Sequence, residues 1–148
     1  MYKNRKSIRL KDYDYSKNGY YFITIVTENR EKYLSEINCK NEVILSEIGK
    51  EIENSILFIN SNQINVDKYI IMPNHIHIIL ILENSEKSII EIIKNFKKFT
   101  SNNIKQNYNK KLWQKSYFDK IIRSEKQYLA LCEYIESNPL KWNLDKYY

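Results

Sequence analysis

Residues 1–18 are polar and basic. Gly19 then opens the run Tyr20-Tyr21-Phe22-Ile23-Thr24-Ile25-Val26-Thr27, whose β-branched and aromatic residues predict a strand over 20–27. Ile44, Ile48, Ile52, Ile56 and Ile59 recur at helical spacing, predicting an amphipathic helix over 43–59 with Ser46 as a candidate cap at its start. Residues 64–72 predict a second strand, broken by Pro73, and the isoleucine-rich stretch 75–82 a third. The short Met72-Pro73-Asn74 link makes these two strands antiparallel neighbours. Ile89, Ile92, Ile93, Phe96 and Phe99 mark the apolar side of a second helix over 87–106, and Lys94, Lys97 and Lys98 its wetter side. An irregular fourth strand is expected within 112–123. The last helix starts after Ser124, which stands at capping-box spacing from Gln127. It ends at Pro139, because the residue before proline is driven out of the helical region.

The order is therefore strand, helix, strand, strand, helix, strand, helix. The first six elements are those of the ferredoxin-like βαββαβ motif, an α+β class with an antiparallel sheet, here followed by a C-terminal helix. The absence of repeats and low-complexity linkers, together with a length sufficient for a real core, makes residues 1–148 one expected domain.

Composition adds little and excludes some classes. The net charge of +6 fits a polyanionic partner and equally fits plain solubility. The 13 tyrosines are compatible with stacking on unpaired bases, though tyrosine also fills strands and half-buried surfaces. Cys39 and Cys132 form no metal-ligand pattern and imply no disulfide. Without a long apolar run, and with a polar start where a signal peptide would stand, the expectation is a cytoplasmic protein with no membrane partner.

His75 and His77 are the only two histidines. Side chains two apart on a strand project from one face, so both imidazoles share a face while Ile76, Ile78 and Leu80 take the other. Neutral imidazoles so placed can share a divalent cation. Two unrelated polar residues on an open sheet face would read the same way, and two ligands are not a complete site. On the final helix, Tyr128, Leu131, Cys132 and Ile135 form the apolar stripe. Tyr134 and Asn138, one turn apart, lie together beside it on the line of Gln127. That geometry could aim a phenol and an amide at one point. It also fits a boundary tyrosine reaching water and an asparagine that simply ends a helix.

Four segments stand in one order: Met72-Pro73-Asn74-His75-Ile76-His77, Leu112-Trp113-Gln114, Ile121-Ile122-Arg123 and Tyr134-Ile135-Glu136-Ser137-Asn138-Pro139. As a set they resemble the HUH single-tyrosine transposases of bacterial insertion sequences. The opening Arg5-Lys6-Ser7-Ile8-Arg9-Leu10 with Tyr13-Asp14-Tyr15, and the ending Asn138-Pro139-Leu140-Lys141-Trp142, are similar to REP-associated tyrosine transposases in particular.

The resemblance implies Mg²⁺ or Mn²⁺ held by His75 and His77, with Tyr134 as nucleophile. Asn138 falls at the third ligand position, which is Gln in many insertion-sequence transposases; the shorter amide bears on direct coordination. Asn74 falls where several relatives carry an acidic residue. The implied reaction is metal-dependent transesterification on single-stranded DNA at hairpin-flanked sites, through a 5′-phosphotyrosine and without a nucleotide cofactor. Candidate phosphate contacts are Arg5, Lys6 and Arg9, the Lys94, Lys97 and Lys98 face, and Lys110 and Lys111. The resemblance leaves two assemblies open: a homodimer that sets the tyrosine helix of one subunit against the histidines of the other, or a monomer.

Two other readings fit the same residues. A non-catalytic single-stranded nucleic-acid-binding module would use Tyr20, Tyr21 and Phe22 on an open sheet for stacking. A metal-dependent hydrolase would use the histidines to activate water and form no covalent protein–DNA adduct.

Overall fold

The computed structural model describes residues 18–105, 108 and 110–148. Arg5, Lys6 and Arg9, with the rest of the basic opening, lie outside the described residues. The elements in chain order are β1 (Gly19–Val26), β2 (Ser35–Ile37), β3 (Val43–Leu45), α1 (Glu47–Leu57), β4 (Ile64–Ile71), β5 (His75–Leu82), α2 (Ile89–Lys105), β6 (Phe118–Ile122) and α3 (Glu125–Ser137).

The four long strands form an antiparallel sheet in the order β4-β5-β1-β6. With α1 after the first of these strands and α2 after the third, this is the expected ferredoxin-like arrangement. Alternation along the two central strands sorts their side chains between two layers. Tyr21, Ile23 and Ile25 of β1 join Ile76, Ile78 and Leu80 of β5 in the core beneath α1 and α2. The opposite face carries Phe22, His77 and Ile79, and there α3 packs Cys132 and Ile135 against Phe22, Ile79 and Ile122. Strand β5 is thus covered on both sides. Its near-continuous isoleucines are the mark of such a strand.

Two expected elements differ from their bounds by more than two residues at an end. The helix over 43–59 begins only at Glu47, because Val43–Leu45 pairs with Ser35–Ile37 as a small hairpin. Ile44 fits the helical spacing, yet it lies 51% exposed in β3 and outside the buried stripe of Ile48, Ile52 and Ile56. Cross-strand pairing overrides the periodicity at that end. Ser46 does cap the helix, its Oγ accepting from the Gly49 amide at 3.0 Å. Gly49 is required there by close approach, since a Cβ would stand 2.0 Å from the Leu34 carbonyl oxygen.

The strand expected within 112–123 is regular only over Phe118–Ile122. Ahead of it, Trp113 makes a lone bridge with Thr27 and is buried, its Nε1 donating to Thr100 Oγ1 at 2.9 Å. The Lys97 ammonium then donates to the carbonyls of Gln114, Lys115 and Ser116 at 2.7, 3.1 and 3.2 Å. These carbonyls are satisfied by a side chain rather than by a neighbouring strand, so the segment does not extend the ladder.

Helix α3 starts as expected, with Ser124 Oγ accepting from the Gln127 amide at 3.1 Å. It ends with Asn138 as C-cap. Beyond it, a single turn at Trp142–Leu144 brings Asp145 to Tyr148 back across the start of β5. Asn74 Nδ2 donates to the Tyr147 carbonyl at 2.5 Å, and the Lys32 ammonium stands 4.4 Å from the Tyr148 ring centre. Nothing in the periodicity anticipates this tail. Among the described residues, no helix is long and apolar enough to cross a membrane.

Candidate active site

The site is built where β5 begins. His75 and His77 point to the α3 side of the sheet, their ring centres 4.8 Å apart, and both are buried. Each is oriented through Nδ1. Asn74, itself fully buried, donates from Nδ2 to the Tyr147 carbonyl, which leaves its Oδ1 to accept from His75 Nδ1 at 2.8 Å. His77 Nδ1 lies 2.8 Å from Thr24 Oγ1, directly across the β1–β5 pairing. In both cases Nε2 faces the space under α3. An oriented Nδ1 that fixes the tautomer is the usual support of a metal-binding imidazole.

Burial also keeps the rings neutral. It pushes the His75 pKa down to about 3, against a smaller upward pull from the Asn138 amide, and nearby Lys146 lowers it further. The His77 pKa is held well below the usual histidine range, first by burial and then by repulsion from His75 and Lys146. The lone pairs are therefore available at neutral pH.

Tyr134 of α3 stands against this pair within the same chain. Its ring meets His77 edge-on at 5.3 Å and lies 6.3 Å from Phe22, which in turn stacks on His77 at 5.1 Å. Although part of its surface is open, burial of its hydroxyl raises the Tyr134 pKa. The Asp145 carboxylate raises it further, while Asn138 lowers it slightly. Tyr134 opens into a cavity of about 430 Å³ whose lining includes Thr24, His77, Lys120, Asn138, Lys141 and Asp145.

Four buried atoms here have no hydrogen-bond partner: His75 Nε2, His77 Nε2, Asn138 Oδ1 and Asp145 Oδ2. All four can act as acceptors. Buried polar atoms are seldom left unmatched, so a cluster of acceptors in one place marks a site for something positively polarised. Among the described residues, no three His, Cys, Asp or Glu side chains form a ready coordination group. A shell built here must therefore draw on the Asn138 amide or on oxygens from outside the present arrangement.

The four residues expected at the centre are thus brought together: His75, His77, Tyr134 and Asn138. The expected phosphate contacts that fall among the described residues are not. Lys94 and Lys98 are exposed on α2, across the sheet from Tyr134, and the Lys97 ammonium is committed to the three carbonyls described above. Lys110 is exposed, and Lys111 pairs loosely with Glu28 at 3.5 Å. Of the three aromatic residues suggested for stacking, Tyr21 and Phe22 are buried under helices and Tyr20 is 40% exposed. The sequence reading missed Thr24 and Asn74 as histidine partners, and Asp145 and Tyr147 of the tail. Strand alternation could have pointed to Thr24, which shares a face with Phe22; no local pattern points to Asp145.

Comparison with known proteins finds transposases among those that the chain is similar to. Residues 15–138 match the family model described as IS200-like transposase. A Haemophilus influenzae protein of unassigned function is 33% identical over 171 aligned residues, taking in 98% of this chain and 93% of that protein. A candidate REP-associated tyrosine transposase from the same organism is 27% identical, over 86% of this chain and 74% of its own length. Among solved structures, a REP-associated tyrosine transposase bound to a REP hairpin superposes with a TM-score of 0.69 at 20% identity, over 99% of this chain and 77% of that one. A candidate transposase from Deinococcus radiodurans gives 0.57 at 17%, over 93% and 97%.

Proposed function

Because this chain belongs to the IS200-like transposase family, we propose that it cleaves and rejoins single-stranded DNA beside a hairpin, with Tyr134 as the nucleophile. The observation that carries the proposal is the placement of the Tyr134 ring against His77, beside a buried cluster of four acceptor atoms that lack partners. The REP-hairpin complex of a structural relative supports a hairpin as the recognised element.

In the proposed reaction the Tyr134 oxygen attacks the scissile phosphorus. A phosphorus–tyrosine ester forms as the bond to the 3′ oxygen breaks, and that oxygen leaves as a 3′-OH. The phenolic proton must depart, and its raised pKa makes Tyr134 a neutral phenol at rest. A second 3′-OH reverses the attack, displacing Tyr134 and joining a new strand, so the energy of the phosphodiester is retained and no nucleotide cofactor is needed.

The acceptor set fits a divalent cation. His75, His77 and Asn138 would hold Mg²⁺ or Mn²⁺, whose contribution is to polarise a non-bridging phosphate oxygen and orient it for attack. Thr24 and Asn74 set the ring orientation, and the layer formed by α3 and the tail excludes water from the imidazoles. Lys120 and Lys141, both lining the cavity, are placed to neutralise the DNA backbone, with Arg5, Lys6, Arg9, Lys110 and Lys111 as further candidates from the sequence. Since Tyr134 and the histidines meet within one chain, each molecule carries a whole set of these residues.

The test is incubation with labelled single-stranded hairpin DNA and Mn²⁺, followed by denaturing electrophoresis. Wild type is expected to form a denaturant-resistant adduct that is absent from Tyr134→Phe. DNA binding without an adduct would point to a non-catalytic module, and cleavage without one to water as nucleophile. Either result would remove the proposal.

A further inference from the structure

We propose that Asp145, on the C-terminal tail, is a ligand of the same cation as His75 and His77, so that the tail completes the metal site. The inference rests on the metal-dependent reading above and adds to it a residue beyond the family match, which ends at residue 138.

The geometry points to Asp145 in three ways. Its side chain is 2% exposed, and Oδ2 has no hydrogen-bond partner while Oδ1 accepts from the Tyr147 amide at 2.9 Å. The carboxylate is therefore locally anchored with one oxygen directed inward. Oδ2 stands 3.7 Å from His75 Nε2, too far for a hydrogen bond. Since His75 Nδ1 donates to Asn74, its Nε2 carries a lone pair, so two electron-rich atoms face each other in a buried space. That contact is unfavourable as it stands, and a cation between them would relieve it. Donors on neighbouring octahedral positions of one ion at roughly 2.1 Å stand roughly 3 Å apart, so Oδ2 must close on Nε2 by less than roughly 1 Å from the observed 3.7 Å for the two to share a cation.

The chemistry agrees. Two imidazoles and an amide give an uncharged, nitrogen-rich shell, whereas Mg²⁺ and Mn²⁺ favour oxygen and anionic ligands. Asp145 supplies both. The three acidic and histidine side chains are not yet closed around one point, so loading draws Asp145 inward on its tail. The tail is tied to the site by Asn74, which bonds His75 with one side-chain atom and the Tyr147 carbonyl with the other.

The test is Mn²⁺ titration of the full chain without DNA, read by the electron paramagnetic resonance of free Mn²⁺. Wild type is expected to bind, and Asp145→Asn to bind roughly tenfold or more weakly, on the scale of losses at metal sites whose supporting groups are removed. Asp145→Glu should recover part of that loss. Unchanged circular dichroism and thermal midpoint in EDTA would separate ligand loss from unfolding. Independently of any variant, the Asp145 carboxyl ¹³C resonance of the wild-type protein should shift on Mg²⁺ addition. Equal Mn²⁺ affinity of wild type and Asp145→Asn, with binding lost in His77→Ala, would overturn the role of Asp145 and leave the metal reading standing. If wild type binds no Mn²⁺ and adduct formation is also indifferent to metal, both fall.

Discussion

Thr24→Val tests whether the fold orients His77 for metal binding. The substitution keeps the shape of the side chain but removes the hydroxyl that lies 2.8 Å from His77 Nδ1, at a residue only 2% exposed. His77 is only 2% exposed, so its Nδ1 has little access to water as a replacement partner. Leaving a buried polar group unmatched costs about 1–3 kcal/mol. For a chain of 148 residues that corresponds to a fall in thermal midpoint of roughly 2–4 °C per kcal/mol.

A second effect concerns function. Without Thr24 to accept at Nδ1, the ring proton is free to sit on Nε2, where it blocks the lone pair that faces the cavity. Loss of such an orienting contact lowers metal affinity by roughly 10–100-fold. Urea unfolding in EDTA would measure the first effect and Mn²⁺ titration of the folded variant the second. A variant that loses the expected stability yet binds Mn²⁺ as tightly as wild type would refute the claim that Thr24 sets the metal-binding tautomer.

Two further predictions follow from the interior. Both histidines have folded-state pKa values below the ordinary 6.5, so the unfolded chain binds more protons between pH 6.5 and about 3, and stability should fall as pH drops through that window. The slope approaches about 1.4 kcal/mol per pH unit for each histidine, and urea midpoints measured across the window should flatten in His77→Gln; an unchanged slope would contradict the assigned burial. Gly49→Ala would press a Cβ to 2.0 Å from the Leu34 carbonyl, so a loss of about 3 kcal/mol or more is expected by chemical denaturation, and a loss under 1 kcal/mol would show that the approach relaxes easily.

Much of the scaffold was legible because its periodicities are strong. Alternation in β5 separated Ile76 and Ile78 from His75 and His77, and four-residue spacing in α3 paired Tyr134 with Asn138. What remained hidden depends on contacts between distant parts of the chain. Val43–Leu45 carries a helical spacing and becomes a strand because Ser35–Ile37 lies beside it. Thr24 partners His77 across 53 positions, and Asn74 reaches Tyr147 across 73. Lys97 looked like one lysine of a wet face, yet its length lets the ammonium cross to the 114–116 carbonyls. Asp145 follows a proline-ended helix in a segment with no repeating pattern, so only the folded tail reveals that it enters the site.

The most direct test of the central claim is to locate the covalent bond. The chain has 13 tyrosines, and among the described ones the geometry singles out Tyr134. Wild-type protein would be reacted with a hairpin-bearing single-stranded oligonucleotide and Mn²⁺, trimmed with nuclease and protease, and mapped by tandem mass spectrometry. The account predicts a nucleotide phosphate on the phenolic oxygen of Tyr134, and no such adduct when His75 and His77 are both replaced by Ala. A phosphate bonded to any other tyrosine, or clean strand cleavage with no modified tyrosine, would contradict it.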